Sequence, residues 1–207
     1  RAVSSHTASL AGDYTVFSQV MAQHGIVEAT DASELVAFCE SLSCYGRRIG
    51  NRMGIISVSG GHGALASDAC AARHMEVPII PDAVQTAIRE RLSESVRSIA
   101  SVVNPVDLTG SATDDDFVEA AQGLSRSPDI DCVLLLLLPY SPGLSLDLGA
   151  RLSQIYQREG KPLIAYVPHE SKYAMLSEGF QLNRVPVAAS IEGAVLMADA
   201  LRRCQSC

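Results

Sequence analysis

A histidine near the start of the chain, His6 in "SSHTASLAG", has neighbours that suit phosphoryl chemistry. A neutral imidazole can use one ring nitrogen as a nucleophile near pH 7. Ser5, Thr7 and Ala8 flank it with little bulk, so an incoming group could reach the ring. A lone histidine near a terminus is more often a solvated surface residue. The residues by themselves therefore leave both interpretations open.

A glycine-rich turn provides a second candidate site. The apolar stretch "RMGIISVS" leads directly into Ser59-Gly60-Gly61-His62-Gly63, after which a helical pattern begins. Glycines let backbone N–H groups approach an anion closely, and a helix start adds unpaired donors and a favourable dipole. The spacing Gly61-x-Gly63-x-x-Ala66 also fits a loose dinucleotide fingerprint, but that match is weak without a placed acidic residue. A tight turn without a ligand is the alternative.

Further candidate residues follow two later strand patterns. Asn104 and Asp107 lie in "NPVDLTG", and Thr113 with Asp116 forms a capping-box pattern that starts another helix. Tyr140 lies in "PYSPG", after the apolar run that ends at residue 139. Strands that alternate with helices predict a parallel sheet, and ligands bind at the carboxyl edge of such sheets. We therefore expect two helix N-termini at this edge, as an anion site requires.

The patterning changes near residue 45. The pattern of residues 13–45 predicts a helix, a strand over 26–29 and a second helix capped by Asp31. One face of the first helix would carry Val16, Phe17, Val20 and Met21. Residues 46–51 form a polar linker. Strands are predicted over 52–59, 77–80, 131–139, 161–168 and 185–188, with helices between them and residues 98–113 irregular. Continuously apolar strands indicate a sheet covered by helices on both faces.

Composition excludes several classes of protein. The chain has 207 residues, 47% of them hydrophobic, and a formal net charge of −7, which disfavours nucleic acid or an anionic membrane as a partner. The apolar run at residues 132–139 is too short to span a membrane, so we expect a cytoplasmic protein. No set of histidines has metal-ligand spacing, and the terminal "CQSC" is a CxxC that lacks a second pair, which favours a frayed end over a zinc site. The cysteines are expected to be reduced, buried thiols: Cys39, Cys44, Cys70, Cys132, Cys204 and Cys207.

Four segments together resemble one enzyme family. They are "RAVSSHTASLAG", "GIISVSGGHGALASDA", "NPVDLTGSAT" and "GKPLIAYV…GFQLNRVPVAASIEGAVLMADAL", and they span nearly the whole chain. In their order and spacing they are similar to the nucleoside-diphosphate-forming (ADP-forming) acyl-CoA synthetases, relatives of succinyl-CoA synthetase. By that resemblance, His6 carries a phosphoryl group, and the reaction interconverts acyl-CoA, ADP and phosphate with acid, ATP and CoA. The intermediates are an acyl phosphate and phosphohistidine.

The resemblance also implies an organisation. Residues 1–45 would be the C-terminal part of a succinyl-CoA-ligase-like domain, residues 46–51 a linker, and residues 52–207 a flavodoxin-like ligase domain. The phosphate or acyl group would meet Ser59, Gly60, Gly61, His62, Gly63, Asn104, Asp107 and Tyr140. CoA and ATP or ADP with Mg²⁺ would serve the complete enzyme, and none is expected on this chain. CoA-binding and ATP-grasp domains or subunits would be required partners, so the chain alone should be inactive, and the enzyme should be oligomeric.

Departures from the family pattern keep alternatives open. Ala8 stands where the family usually has glycine, and His62 where proline is common. A non-catalytic synthetase-like module that senses a ligand is a competing interpretation, although retention of "SHTASLAG" favours the enzyme. A flavin-binding flavodoxin is a third. The near-absence of aromatic residues at the strand ends, apart from Tyr140, argues against it.

Overall fold

Residues 13–204, which the computed structural model describes, contain a single parallel sheet. The strands are β1 Met53–Ser57, β2 Val106–Asp107, β3 Cys132–Leu136, β4 Leu163–Tyr166 and β5 Val187–Ala188. Their order in the sheet, β2-β1-β3-β4-β5, is that of doubly wound flavodoxin-like proteins and confirms the predicted fold class. The register pairs Ile56 of β1 with Val106 on one side and Leu135 on the other.

Helices cover both faces of this sheet, as the continuously apolar strands predicted. Successive strand residues face opposite sides, so Ile55 and Ile56 belong to two different buried clusters. The helices are α1 Tyr14–Gln23, α2 Ala32–Cys44, α3 Gly60–Ala72, α4 Asp82–Arg91, α5 Glu94–Arg97, α6 Asp114–Arg126, α7 Leu148–Glu159, α8 Ala174–Gln181 and α9 Ile191–Arg203. One cluster involves α4 to α8, and the other involves α2, α3 and α9. Within these described residues, no helix has the length and apolar character of a membrane span.

Helix starts follow the caps expected from the sequence. Asp31 accepts a hydrogen bond from the backbone of Glu34 at 2.9 Å, which satisfies one of the unpaired N–H groups of α2. Thr113 and Asp116 form the predicted capping box of α6. The apolar face predicted for α1 is present, but no residue of α1 is buried, and Phe17 remains 51% exposed.

The strands predicted at 26–29 and 77–80 are wrong. Residues 26–29 lie beside helices and not along a sheet edge, and the backbone carbonyl of Glu28 accepts from Arg203 at 3.4 Å. The chain pairs with β1 only just before the second segment, where Met53 donates to the carbonyl of Glu76 at 2.7 Å. Pro78 has no N–H to continue such a ladder. The sheet gains a short strand, β2, inside the region expected to be irregular.

The side chain of Asn104 makes hydrogen bonds to β1 that a neighbouring strand would otherwise make. Its Oδ1 accepts from the backbone of Ile55 at 2.9 Å, and its Nδ2 donates to the carbonyls of Met53 at 3.0 Å and Pro78 at 2.8 Å. Asn104 is 6% exposed and has φ of 94°, a conformation that asparagine tolerates better than most residues. The amide thus completes the edge of β1 where the chain supplies no strand.

The first two helices differ in how they attach to the sheet. Helix α2 packs on α9 and contributes Phe38 to the core. Just after it, Tyr45 is buried, and its hydroxyl donates to the carbonyl of Leu163 at 2.7 Å. The backbone of Ile49 donates to Leu201 at 3.1 Å. These contacts hold residues 32–49 against the flavodoxin-like core, while the domain boundary at 46–51 stays a prediction.

The cysteines match the expectation of burial in part. Cys70 and Cys132 are buried free thiols, and burial raises the pKa of Cys70 to about 12. A thiol with such a pKa stays protonated and unreactive near pH 7. Cys39 is exposed, so the expectation is wrong there. Cys207 lies outside the described residues.

Replacing Asn104 should destabilise the fold. Asn104→Gly keeps the backbone conformation accessible while removing the amide, and it leaves the groups of Ile55, Met53 and Pro78 without their partner. We expect a loss of about 3 kcal/mol in the free energy of unfolding, measured with urea, because each buried unpaired group costs ~1–3 kcal/mol. The control Asn51→Gly removes an exposed amide contact with Glu76. A loss no larger than in that control would contradict the role assigned to Asn104.

Glu34 should make stability depend on pH. Hydrogen bonds from the backbone and hydroxyl of Thr30, together with the Arg73 ion pair, lower the pKa of Glu34 from 4.5 to about 2 against the opposing effect of burial. A lowered pKa stabilises the fold above pH 4.5, and the contribution is lost as the pH falls towards 2. Glu34→Gln should therefore be less stable than the parent at pH 7, and the difference should narrow below pH 4.5. Glu90→Gln, at an exposed position, is the control. If the stability difference between Glu34→Gln and the parent widened on acidification, the lowered pKa of Glu34 would be refuted.

Candidate functional site

The glycine-rich turn lies between β1 and α3, at the carboxyl edge of the sheet. Ser57, the last residue of β1, fixes its shape: its hydroxyl donates to the carbonyl of Ser59 and accepts from the N–H of Ser59, both at 3.0 Å. Ser59 has an extended conformation and precedes the helix without using its own side chain as a cap. The helix therefore starts at Gly60 with no side chain covering its first donors.

The open donors at this helix start are the N–H groups of Gly60 and Gly61. The next two, those of His62 and Gly63, donate to the carbonyl of Ser59 at 3.1 and 3.2 Å. Among the described residues, no acceptor pairs with the first two. An added Cβ at Gly61 would lie 3.8 Å from the Ser59 hydroxyl, an ordinary contact, whereas one at Gly63 would lie 3.2 Å from Pro105. The turn thus presents two parallel donors to solvent, as anion binding at a helix N-terminus requires.

Asp107 borders these donors from the neighbouring strand. Its Oδ1 accepts from the backbone of Thr109 at 2.9 Å, and its Oδ2 would lie 3.0 Å from a Cβ built on Gly60. The cleft between the two strand ends has a volume of ≈ 320 Å³ and includes Ser67 and Ser101 in its lining. One carboxylate oxygen thus lies beside Gly60, so an anion bound at this helix start would feel its repulsion.

Thr109 was missed by sequence reasoning. It has φ of 66°, unusual for a β-branched residue, and its buried hydroxyl has no hydrogen-bond partner within the described residues. A threonine in a turn gives no sequence signal for a left-handed conformation. Asn104, by contrast, was singled out, but its amide serves β1 as described above. Its contribution to the site is to hold the chain in place before Asp107.

The second predicted helix start, that of α6, is already filled. Asp114 accepts from the backbone of Ser145 at 2.9 Å, and Asp115 pairs with Arg151 at 2.5 Å. Burial alone would raise the pKa of Asp116, but hydrogen bonds from Thr113 and Ser93 lower it, so this carboxylate is ionised at neutral pH. Both helix N-termini lie at the carboxyl edge, as expected, but acidic side chains occupy the start of α6 and disfavour an anion there.

Aromatic rings extend the site along the sheet edge. His62 stacks on Tyr166 at the end of β4, with ring centroids 6.1 Å apart and an angle of 29° between the planes. Burial and the nearby Tyr140 and Glu192 raise the pKa of Tyr166. Tyr140 itself is 64% exposed. The imidazole of His62 is therefore directed towards Tyr166 at the end of β4.

Other predicted site features have the following outcome. His6 lies outside the described residues, so its geometry is not part of the site described above. Of the histidines that the sequence analysis did not single out, His24 and His74 lie at helix ends, and His169 follows β4. Within residues 13–204, no group of three or more His, Cys, Asp and Glu side chains could hold a metal ion.

Comparisons with known proteins agree on one family. The sequence family described as "Succinyl-CoA ligase like flavodoxin domain" matches residues 1–42. The acetate–CoA ligase [ADP-forming] I of Archaeoglobus fulgidus is 37% identical over 139 residues, which are 67% of this chain and 19% of that protein. The acetate–CoA ligase [ADP-forming] II subunit alpha of Pyrococcus furiosus is 27% identical over 96% of this chain and 45% of its own length.

A solved structure shows the same fold. The dinucleotide forming acetyl-coenzyme A synthetase 1 of Ca. Korarchaeum cryptofilum, in complex with phosphate and ADP, superposes with a TM-score of 0.82 at 22% identity. The match covers 98% of this chain and 43% of that protein. The chain thus spans less than half the length of these relatives. The family match and the sequence relatives together show that the chain is related to the ADP-forming acyl-CoA synthetases and the succinyl-CoA ligases.

Proposed function

We propose that this chain is part of an enzyme that interconverts acyl-CoA, ADP and phosphate with the free acid, ATP and CoA. The observation that carries the proposal is the open donor pair of Gly60 and Gly61 at the carboxyl edge of the sheet. Phosphoryl groups pass through each step of that reaction, and a helix start with two free N–H groups can hold one. The names of the sequence relatives, ADP-forming CoA ligases, support the same reaction.

The reaction divides into three balanced transfers. Phosphate displaces CoA from the acyl group and gives an acyl phosphate. His6 then takes the phosphoryl group through a ring nitrogen and releases the acid. Finally the phosphohistidine passes its phosphoryl group to ADP, which restores the neutral imidazole and forms ATP. The family match over residues 1–42 supports this role for His6, since it includes the "SSHTASLAG" segment.

Residues of the described core would act on the phosphoryl group and not on the acyl chain. Gly60 and Gly61 would donate to its oxygens, with Ser59 and Gly63 shaping the turn. His62 is close enough to border the same group but is held towards Tyr166. Asp107 would oppose tight binding, which suits a group that must leave again for the nucleotide.

The remaining cofactors would be held elsewhere. Mg²⁺ supplies charge neutralisation to nucleotide phosphates when bound. By the resemblance to the family, CoA and the Mg²⁺ nucleotide would bind to other domains or subunits. Two relatives are named as subunit alpha, which supports such a division of labour. The chain by itself should then form no ATP from acetyl-CoA, ADP and phosphate.

The donor pair can be tested by phosphate titration of the chain. Gly60→Pro removes one donor at the first helical position, where proline is tolerated and where Ser59 already has the extended conformation that precedes proline. Gly60→Ala adds a comparable Cβ beside Asp107 but keeps the N–H. We expect the proline variant to bind phosphate about tenfold more weakly than the alanine variant, the worth of one charge-assisted hydrogen bond. NMR shifts of the Gly61 amide report the affinity, and equal affinities in the two variants would rule out this site.

The role of His6 can be tested in the enzyme reconstituted from this chain and its further domains or subunits. Incubation with labelled ATP should give an acid-labile, base-stable phosphoryl adduct, and His6→Ala should abolish the adduct together with turnover. His24→Ala, at the end of a helix, is the matched control and should keep both. Full labelling of the His6→Ala enzyme would overturn the catalytic role and favour the ligand-sensing module.

A further inference from the structure

A cleft lined by arginines lies at the amino edge of the sheet, at the opposite end of α3 from the glycine-rich turn. Helices α3 and α9 both end there, at Ala72 and Arg203. The cleft has a volume of ≈ 390 Å³. We call it the basic cleft, and its lining consists of Ala72, Arg73, His74, Asp199, Arg202 and Arg203.

Three guanidinium groups in the basic cleft share a single buried carboxylate. Asp199 is 3% exposed, and its Oδ1 accepts from Arg202 at 2.6 and 3.2 Å. Its Oδ2 has only long contacts, at 3.4 Å, with Arg73 and Arg203. Hydrogen bonds of that length are weak. Asp199 therefore satisfies Arg202 well and the other two arginines poorly.

Positive charge exceeds negative charge in this cleft. Arg73 has a second partner, Glu34 at 3.0 Å, so three cations face two carboxylates. Arg48 adds a fourth cation nearby, since its Nε donates to the carbonyl of Arg202 at 3.0 Å. The chain as a whole carries −7, so this excess runs against its overall charge.

The helix ends beside the cleft would repel an anion if their carbonyls were free. They are largely paired. In α3, the carbonyl of Cys70 accepts from Arg73 and Met75, and that of Ala71 accepts from His74. In α9, the carbonyl of Leu201 accepts from Ile49. Backbone groups therefore cancel much of the negative potential, and the arginine charges remain.

The arginines also have donors to spare. A guanidinium carries five N–H groups in a planar fork that matches phosphate oxygens. Arg203 uses one amino group on Asp199 and the other on the carbonyl of Glu28, both at 3.4 Å, and its side chain is 37% exposed. Arg73 is 33% exposed. Both side chains can thus turn unused donors towards a ligand in the cleft.

We propose that the basic cleft binds a phosphate-bearing anion, with Arg73 and Arg203 as its principal ligands. The site is separate from the glycine-rich turn and does not depend on the proposed reaction. The cleft is wider than one phosphate needs, so a diphosphate group suits it better. A free diphosphate and the diphosphate of a nucleotide share this chemistry, and the experiment separates them.

The test is an NMR titration of the chain with pyrophosphate, at ionic strength matched with sodium chloride. Amides of Arg73 and His74 report the basic cleft, and Gly60 and Gly61 report the other site. We expect saturable shifts at Arg73 and His74, and a dissociation constant at least tenfold weaker in Arg203→Gln. The control Arg126→Gln removes an exposed arginine whose partner is Glu159 and should change the constant less than twofold. Shifts that rise linearly without saturation, or equal effects of the two substitutions, would overturn the proposal.

Two further arms make the result decisive. Arg203→Lys keeps the charge near the Phe38 ring, with which Arg203 now packs at 5.7 Å, but it loses the planar fork. Its affinity should fall between those of the parent and Arg203→Gln. Such an intermediate value would show that the weaker binding of Arg203→Gln does not result from unfolding of the variant. ADP in place of pyrophosphate separates the sources: tighter binding of ADP, lost in Arg203→Gln, identifies a nucleotide, and similar affinities identify the diphosphate alone. Binding of neither at millimolar concentration would refute the site.

Discussion

The backbone along the outer edge of β1 must find hydrogen-bond partners, because that strand is fully buried. Beyond the short strand β2, the chain offers no further strand there, and the amide of Asn104 takes over. This one side chain joins β1 to the segment around Pro78 and to the start of β2. The ends of β1 and β2 are thereby held side by side. The glycine-rich turn follows β1 and Asp107 ends β2, so the amide of Asn104 also fixes the position of the turn relative to Asp107.

Electrostatics divides the carboxyl edge into an open helix start and a closed one. Helix α3 begins with glycines and leaves two donors free, while α6 begins with three aspartates whose oxygens take the local donors. Both starts have the same dipole, so the side chains decide which one can receive an anion. A single receptive helix, bordered by Asp107, favours moderate affinity. Moderate affinity would suit the proposed phosphoryl transfer, in which the group must arrive and leave in each cycle.

Much of this fold could be predicted from the sequence, because its signals are local. Apolar runs gave the buried strands, and Asp31 and Thr113 gave helix starts through contacts within three residues. The prediction of a strand at 77–80 was wrong because a strand forms only where it pairs with a partner strand. Here the side chain of Asn104 makes the hydrogen bonds to β1 in place of that segment. The glycine run could also be recognised as a candidate site, because its residues are consecutive in the sequence. Thr109 and the basic cleft were not, since the cleft joins Arg73 to residues about 130 positions later.

Helix α1 has a thermodynamic consequence. It has ten residues and none of them is buried, so it depends on the Asp13 cap and on hydrogen bonds from Tyr14 and Ser18 to Glu28. Isolated helices of this length are marginal in water. Val16 and Phe17 meanwhile present apolar surface to solvent. Binding of another surface over these side chains would stabilise the helix and remove water from apolar area at the same time. Such binding would therefore be accompanied by a decrease in heat capacity.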